Sequence, residues 1–224
     1  MDRINIAIDG PAGAGKSTVA KLVARALGYI YIDTGAMYRA AAYKALINNL
    51  DLDDQEALTR MVQGSAITLA YDTEGNQQVF LDGQDVSVDI RTPEVTRSVS
   101  KVAAVRGVRE EMVRLQQKLA ETKGVVMDGR DVGTFILPKA EKKFYLTASI
   151  EERAGRRYLE MQSRGYEADL EEIKADIAQR DQMDREREFA PLVQAPDALL
   201  VDSSDMSIQQ VVDKILEVSR EGSE

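Results

Sequence analysis

The first part of the chain switches between two hydrophobic periods. Residues 4–8 are a short, mostly apolar run that predicts a buried strand. Over residues 16–27 the apolar side chains recur at helical spacing, and Gly28 follows where a glycine often ends a helix. Residues 29–32 predict a second strand, and residues 36–48 predict an alanine-rich helix. The pattern therefore opens as strand, helix, strand and helix.

Residues 65–90 have a different texture. Apolar side chains alternate with polar ones over short stretches that are separated by turn residues. We expect strands near 67–71 and 79–81, and a third short strand that carries Val86 and Val88. These strands predict a small antiparallel β insert.

Helix start and stop signals flank this insert. The pair Asp53-Asp54 can cap a helix that ends near Gly64, and Thr92 followed by Pro93 is typical of another helix start. Strands and helices alternate again in the second half of the chain. The elements predicted there are strands over 124–128, 143–148 and 199–201, and helices over 149–164, 169–188 and 207–221.

This order of elements predicts the fold class. Strands that alternate with helices favour an α/β fold, a doubly wound parallel sheet flanked by helices and joined by right-handed crossovers. The length of 224 residues and the 44% of hydrophobic residues allow one or two domains with a sizeable core.

The composition then narrows the possible chemistry. The chain has no cysteine and no histidine, which excludes disulfides, thiolate or imidazole metal sites, and Ser-His-Asp hydrolysis. It carries 38 acidic and 29 basic side chains, and this excess of acid argues against a broad basic surface for a nucleic acid polymer. No run approaches the roughly 18 apolar residues of a membrane span, and the apolar run at 4–8 is too short for a signal peptide. We therefore expect a soluble cytoplasmic protein without a membrane partner.

One motif decides the broad class. Residues 10–17 fit the phosphate-binding pattern G-x-x-x-x-G-K-S/T, between a predicted strand and a predicted helix. Loop amides and the helix N-terminus surround phosphate oxygens, Lys16 can reach the β- and γ-phosphates, and the Ser17 hydroxyl can ligate magnesium. A glycine-rich turn without a ligand is the alternative, but the strand–loop–helix context favours a nucleoside triphosphate. The predicted nucleotide-binding residues are Gly10, Pro11, Ala12, Gly13, Ala14, Gly15, Lys16, Ser17 and Thr18.

Two further features fit phosphate chemistry less specifically. Asp128 ends a predicted strand, and it is either an acid close to the magnesium or an ordinary strand-end or capping carboxylate. Residues 150–190 contain seven arginines but one lysine, a bias toward bidentate phosphate recognition that suits a lid over the nucleotide. Acidic side chains surround these arginines, so any single one could equally belong to an ion-paired, solvated helix face.

Taken together, these motifs resemble the bacterial cytidylate kinases, a family of nucleoside monophosphate kinases. The resemblance covers nearly the whole chain, and its most specific stretch is residues 128–134. The phosphate-binding loop alone is generic, whereas its combination with the segments around Asp33 and Asp128 is not. The matching segments are residues 8–18, 33–39, 85–95, 100–104, 108–109, 128–134, 180–185 and 190–192.

The resemblance implies an activity, which is in-line transfer of the γ-phosphoryl group from ATP with Mg²⁺ to CMP or dCMP, in a monomer. Lys16, Arg130 and Arg180 are then the expected catalytic residues, because they offset charge on the transferred group. ATP would be held by residues 10–18 with Arg153 and Arg157, and the magnesium by Ser17 and, through water, by Asp128. The implied acceptor-binding residues are Thr34, Tyr38, Arg39, Ser100, Arg109, Arg130, Asp131, Arg180, Asp184 and Arg187.

Three of these implied residues suit the edge of cytosine. Asp131 can accept a hydrogen bond from the amino group, while Arg109 and Ser100 can donate to the ring nitrogen and the carbonyl oxygen. On the lid side, Met183 stands where relatives can carry a further arginine, so this position offers no guanidinium.

The resemblance also implies three functional parts. A P-loop core would comprise residues 1–33, 92–148 and 192–224. Residues 34–91 would form the monophosphate-binding region with its β insert, and residues 149–191 the lid-side helices.

Other phosphate-loop proteins are the alternatives. A GTPase switch lacks support because the chain has no N-K-x-D guanine motif. A shikimate kinase would carry D-x-x-R after the second strand, whereas the first arginine after Asp33 is Arg39. Adenylate and uridylate kinases differ from the expected activity in the nucleotide that accepts the phosphoryl group. A nucleotide-binding regulator differs in that it phosphorylates no acceptor.

Overall fold

The computed structural model describes residues 3–163 and 165–220. These residues divide into two compact units: the first comprises the described residues up to Tyr31 and from Lys123 onward, and the second comprises Ile32–Thr122. Residues 164 and 221, where two of the predicted helices end, lie outside the described residues. The three functional parts expected from the sequence stay a prediction.

The elements alternate much as the hydrophobic pattern predicts. The described strands are β1 (Asn5–Asp9), β2 (Ile30–Asp33), β3 (Ile67–Tyr71), β4 (Gln77–Leu81), β5 (Gln84–Asp85), β6 (Val125–Gly129), β7 (Lys142–Thr147) and β8 (Leu199–Asp202). The described α-helices are α1 (Lys16–Leu27), α2 (Thr34–Ile47), α3 (Gln55–Gln63), α4 (Pro93–Ala104), α5 (Arg106–Leu119), α6 (Ile150–Ser163), α7 (Leu170–Glu186) and α8 (Ile208–Arg220).

The main sheet confirms the predicted fold class. β1 pairs in parallel with β6 on one side and with β7 on the other, and β7 pairs in parallel with β8. The strand order is β2-β6-β1-β7-β8. Because β1 is the central strand, the loop that follows it begins in the middle of the carboxyl edge of the sheet, where α/β proteins bind ligands.

The core of the first unit packs helices against this sheet. Ile6, Ile8, Phe144 and Leu146 are buried on β1 and β7, and they cluster with Val23 of α1 and with apolar residues of α8. Since strands of a parallel sheet are covered on both faces, their near-continuous apolar composition is what the sheet requires. The phosphate-binding loop thus follows a strand whose five residues are all buried.

The second unit is built around α2. Its alanines at positions 40, 41, 42 and 45 are all fully buried, and their small side chains allow α4 to pack closely against the helix. The antiparallel strands β3 and β4 pair with Ile67 opposite Leu81, and both side chains face the core of this unit. The predicted β insert is confirmed.

Two local differences from the sequence pattern have physical reasons. The third strand of the insert is Gln84–Asp85, so the strand predicted around Val86 and Val88 is wrong; Val86 turns into the core while Val88 is 83% exposed. A short π-helix over Val132–Ile136 has no signal in the sequence pattern. Within the part of the chain that the structure describes, no helix is long and apolar enough to cross a membrane.

Candidate active site

The phosphate-binding loop leads from β1 into α1. Gly10 has φ of 149°, and a Cβ atom there would lie 1.9 Å from the carbonyl oxygen of Leu146, so only glycine fits. Gly13 has φ of 76° and lies against Arg153, where a Cβ atom would meet the arginine Cβ at 3.1 Å. The amides of the loop and of the α1 N-terminus form the kind of concavity that binds phosphate.

Lys16 is the buried cation of this loop. Its Nζ donates to the carbonyl oxygen of Pro11 at 2.7 Å. The pKa of Lys16 is lowered to about 7, mainly by burial and next by the positive charge of Arg130, while Asp128 and Asp9 act in the opposite direction. A lysine with so low a pKa gains positive charge near neutral pH when an anion binds beside it.

Asp128 lies at the magnesium end of the loop. One of its carboxylate oxygens accepts from the Ser17 hydroxyl at 3.0 Å, and the other accepts from the Tyr31 hydroxyl at 2.8 Å. The described residues contain no cluster of three or more acidic side chains that could hold a metal ion alone. A hydroxyl beside a carboxylate fits a Mg²⁺ ion that takes its other ligands from nucleotide phosphates and water.

The two residues that follow β6 each form an ion pair with a residue at the end of α7. Arg130 Nε donates to Asp184 Oδ2 at 2.7 Å, and Arg187 Nη2 donates to Asp131 Oδ1 at 3.0 Å. Burial raises the pKa of Asp184, but the charges of Arg130 and Arg180 outweigh it, so the pKa is lowered and the carboxylate stays ionised. The structure thus brings together the five predicted residues of this network.

An ion pair between α6 and α7 holds the backbone of the phosphate-binding loop. Arg153 Nη1 donates to the carbonyl oxygen of Ala12 at 2.9 Å and to Asp181 Oδ2 at 2.6 Å. The other oxygen of Asp181 accepts the N–H of Ala12 at 3.1 Å. The predicted contact of Arg153 with ATP stays a prediction, and its guanidinium here supports the loop backbone. Sequence reasoning missed Asp181, because nothing in the local pattern links α7 to the loop.

The neighbouring arginines of α6 differ in their surroundings. Arg157, a predicted ATP contact, is half-buried and pairs with Glu160 at 2.8 Å. Arg156 donates to the carbonyl oxygen of Ser203 at 2.9 Å, and its Nη1 lies 3.8 Å from where a Cβ of Gly15 would be. Arg156 is therefore a cation at the start of α1 that the sequence analysis did not select.

The second unit carries the other predicted acceptor residues. Asp33 caps α2 by accepting the N–H of Ala36 at 2.8 Å, and its second oxygen accepts from Arg39 Nη2 at 2.9 Å. Thr34 and Tyr38 are buried on the same helix. The side-chain oxygen of Gln77 accepts the N–H of Asp33 at 2.9 Å. Asp33 and Gln77 are supporting residues that the sequence analysis did not select for the site.

Arg109 is the most deeply buried arginine of the second unit. It is 1% exposed, its Nη1 donates to the carbonyl oxygen of Ala103 at 3.2 Å, and its Cζ lies 5.2 Å from the centre of the Tyr38 ring. A guanidinium over an aromatic face is stabilised by the ring quadrupole. Ser100 lies half-buried on α4. Thr34, Tyr38, Arg39, Ser100 and Arg109 are therefore carried by one unit, and the other predicted site residues by the first.

The sheet order and the glycine loop with its buried lysine define a P-loop nucleotide-binding protein. The chain belongs to the cytidylate kinase family, since the family model described as Cytidylate kinase matches residues 6–221. It is 57% identical over 216 residues to the cytidylate kinase of Bacillus cereus (strain ATCC 10987 / NRS 248), and the match covers 96% of each chain. It is 58% identical over 214 residues to the cytidylate kinase of Bacillus thuringiensis (strain Al Hakam), which covers 96% of this chain and 95% of the relative.

Solved structures share the architecture at low identity. An uncharacterized protein from Eubacterium ventriosum ATCC 27560 matches with a TM-score of 0.53 and 13% identity, over 97% of this chain and 98% of that one. A shikimate kinase from Bacteroides thetaiotaomicron matches with a TM-score of 0.50 and 14% identity, over 97% and 99%. These likenesses show the fold and confirm the α/β class.

Proposed function

We propose that this member of the cytidylate kinase family transfers the γ-phosphoryl group of ATP to CMP or dCMP, giving ADP and CDP or dCDP. The convergence of three cations carries the proposal: Lys16, Arg130 and Arg180 are close enough for the two arginines to lower the pKa of the lysine. Three cations gathered at one loop favour a group as anionic as two facing phosphates.

ATP is the donor that the first unit suits. The loop amides and Lys16 cradle the β- and γ-phosphates, and Arg153 with Asp181 keeps the loop in that shape. Ser17 and Asp128 would hold Mg²⁺, which when bound neutralises phosphate charge. Arg153 and Arg157 remain the proposed arginines on the ATP side.

The acceptor nucleotide is proposed to use arginines that now rest on carboxylates. The phosphate would draw Arg39 from Asp33 and Arg130 from Asp184, because a phosphate accepts the same bidentate hydrogen bonds. Arg39 Nε is buried and has no hydrogen-bond partner among the described residues, which leaves one donor for such an anion. Thr34 and Tyr38 shape this end of the pocket, and Arg180, Asp184 and Arg187 address the sugar and phosphates.

The base is proposed to be read by Asp131, Arg109 and Ser100. The Asp131 carboxylate accepts from the cytosine amino group, whereas uracil would present a carbonyl oxygen to it. An unpaired buried polar group costs about 1–3 kcal/mol, which is enough to favour CMP over UMP.

The transfer itself requires no histidine. An acceptor phosphate oxygen is already nucleophilic at neutral pH, so the protein has to align it with the γ-phosphorus and offset charge. Lys16, Arg130 and Arg180 offset that charge as the bond to the leaving ADP breaks. Closure of the lid-side helices would exclude water.

The test is ADP formation from ATP and Mg²⁺ with CMP, dCMP, UMP, AMP or shikimate as the acceptor. Strong turnover with CMP and dCMP and weaker turnover with UMP is the expected result. Turnover with AMP or shikimate instead would overturn the acceptor assignment. ATP binding without turnover of any acceptor would favour a nucleotide-binding regulator.

The assembly and the compartment complete the proposal. We expect a monomer, so light scattering should give a mass close to 24.8 kDa rather than a multiple of it. The proposed compartment is the cytoplasm, where both nucleotides occur, and cell fractionation would test it.

A further inference from the structure

Asp9 is a buried carboxylate that the proposed reaction leaves without a role. It is the last residue of β1, immediately before the phosphate-binding loop, and its side chain is 3% exposed. Burial raises the pKa of Asp9 to about 7, against the effect of two backbone N–H donors. A carboxylate in such a place is unfavourable unless a specific arrangement requires it.

Both oxygens of Asp9 accept backbone hydrogen bonds from one short segment. Oδ1 accepts the N–H of Val132 at 2.8 Å, and Oδ2 accepts the N–H of Gly133 at 2.7 Å. These amides open the π-helix Val132–Ile136, so without Asp9 they would lack acceptors at a helix N-terminus. The side chain therefore fixes the start of this segment to the central strand.

The fixed segment follows directly on Arg130 and Asp131. The carbonyl oxygen of Asp131 accepts from the N–H groups of Phe135 and Ile136 at 2.9 and 3.1 Å, which ties the Asp131 backbone to the same π-helix. Gly133 allows the approach, because a Cβ atom there would lie 3.3 Å from Asp9 Oδ2 and 3.1 Å from Lys143 Cδ.

The side chains of Arg130 and Asp131 are held from another direction. Their partners Asp184 and Arg187 lie at the end of α7, among the residues that the acceptor is proposed to contact. Binding of the acceptor would exchange those ion pairs, whereas the two hydrogen bonds of Asp9 need not change. Asp9 therefore holds the backbone next to Arg130 and Asp131 both with and without the acceptor.

We propose that Asp9 is a positioning residue for the acceptor nucleotide, which holds Arg130 at the phosphate and Asp131 at the base through the backbone of Val132 and Gly133. This inference rests on the proposed function, since that function supplies the roles of Arg130 and Asp131. A role in the ATP site is not required, although Asp9 is next to the loop in sequence.

The test is Asp9→Asn, which keeps the shape but turns an amide N–H₂ group toward one of the two backbone N–H donors. We expect the KM for CMP to rise about tenfold, the preference for CMP over UMP to fall, and the KM for ATP to change less than twofold. A matched control is Asp72→Asn, in the exposed turn between β3 and β4. Asp72 also accepts two backbone N–H groups, from Glu74 and Asn76, and we expect the kinetics of this variant to be those of the wild type.

A second variant keeps the proposal testable if Asp9→Asn does not fold. Gly133→Ala would place a methyl group 3.3 Å from Asp9 Oδ2, at a backbone conformation that alanine can adopt. It should give the same split, with a raised KM for CMP and a nearly unchanged KM for ATP. Equal changes in both KM values, unchanged kinetics, or failure of both variants to fold would overturn the positioning role. A wild-type protein that does not phosphorylate CMP would instead overturn the proposed function.

Discussion

At the scale of single residues, the lowered pKa of Lys16 should couple ATP binding to proton uptake. Burial lowers the lysine pKa to about 7 in the free protein. The phosphates of ATP supply a counter-charge and raise it again, so between the two pKa values binding of ATP takes up a proton. Calorimetry at pH 8 in buffers of different ionisation enthalpy should detect an uptake that approaches one proton per ATP. Lys16→Arg should show almost none, because arginine stays protonated.

The same residue is expected to be essential for turnover. Lys16→Ala removes the cation that offsets charge on the transferred phosphoryl group, while the loop backbone remains held by Arg153 and Asp181. We expect kcat to fall by orders of magnitude with little change in the unfolding temperature. Retained turnover in a folded variant would contradict the assignment of Lys16.

At the scale of elements, the β insert supports the helix that carries Thr34, Tyr38 and Arg39. Gln77 of β4 accepts the N–H of Asp33, and Asp33 in turn caps α2 and holds Arg39. Gln77→Ala should therefore raise the KM for CMP several-fold, since one hydrogen bond is worth about 0.5–1.5 kcal/mol. The KM for ATP should stay unchanged.

The neighbouring glutamine provides the control for this element. Gln78→Ala, on the same strand and facing Ala70 across the hairpin, should leave both KM values as they are. Equal effects of the two substitutions would mean that the insert acts through general stability and not through Asp33.

At the scale of the whole molecule, we propose that this acidic protein can bind acidic ligands because carboxylates hold its arginines in place locally. The formal net charge is -9, yet Arg39, Arg130, Arg153 and Arg187 each pair with an aspartate. Such pairs keep guanidinium groups oriented while no ligand is bound, and they can be exchanged for phosphate oxygens.

How much of this could be predicted depends on distance along the chain. The strand–loop–helix of residues 5–27 and the caps at Asp54 and Thr92 are local patterns, and the structure confirms them. The pair of Arg153 with Asp181 and the hydrogen bonds from Asp9 to the segment after Asp131 join residues far apart in sequence. Only the packed fold brings such groups together, and no periodicity marks them.

The chemistry was predictable for a related reason. Residues of the loop lie next to one another in sequence, so their spacing alone indicates phosphate binding. The roles of Ser100, Arg109 and Asp131 came from family resemblance, because each residue alone is compatible with a cap or a surface pair. Those roles stay predictions until turnover of CMP is compared with turnover of a nucleotide that carries another base.

The most direct test of the account is the ratio of kcat/KM for CMP to that for UMP, measured in the wild type and in Asp131→Ala. We expect the wild type to prefer CMP by about ten- to a hundredfold, because a carboxylate pairs with an amino group and not with a carbonyl oxygen. The substitution should reduce that ratio to a few-fold while ATP binding is kept. A ratio that is the same in both proteins would contradict the account of how the acceptor is read.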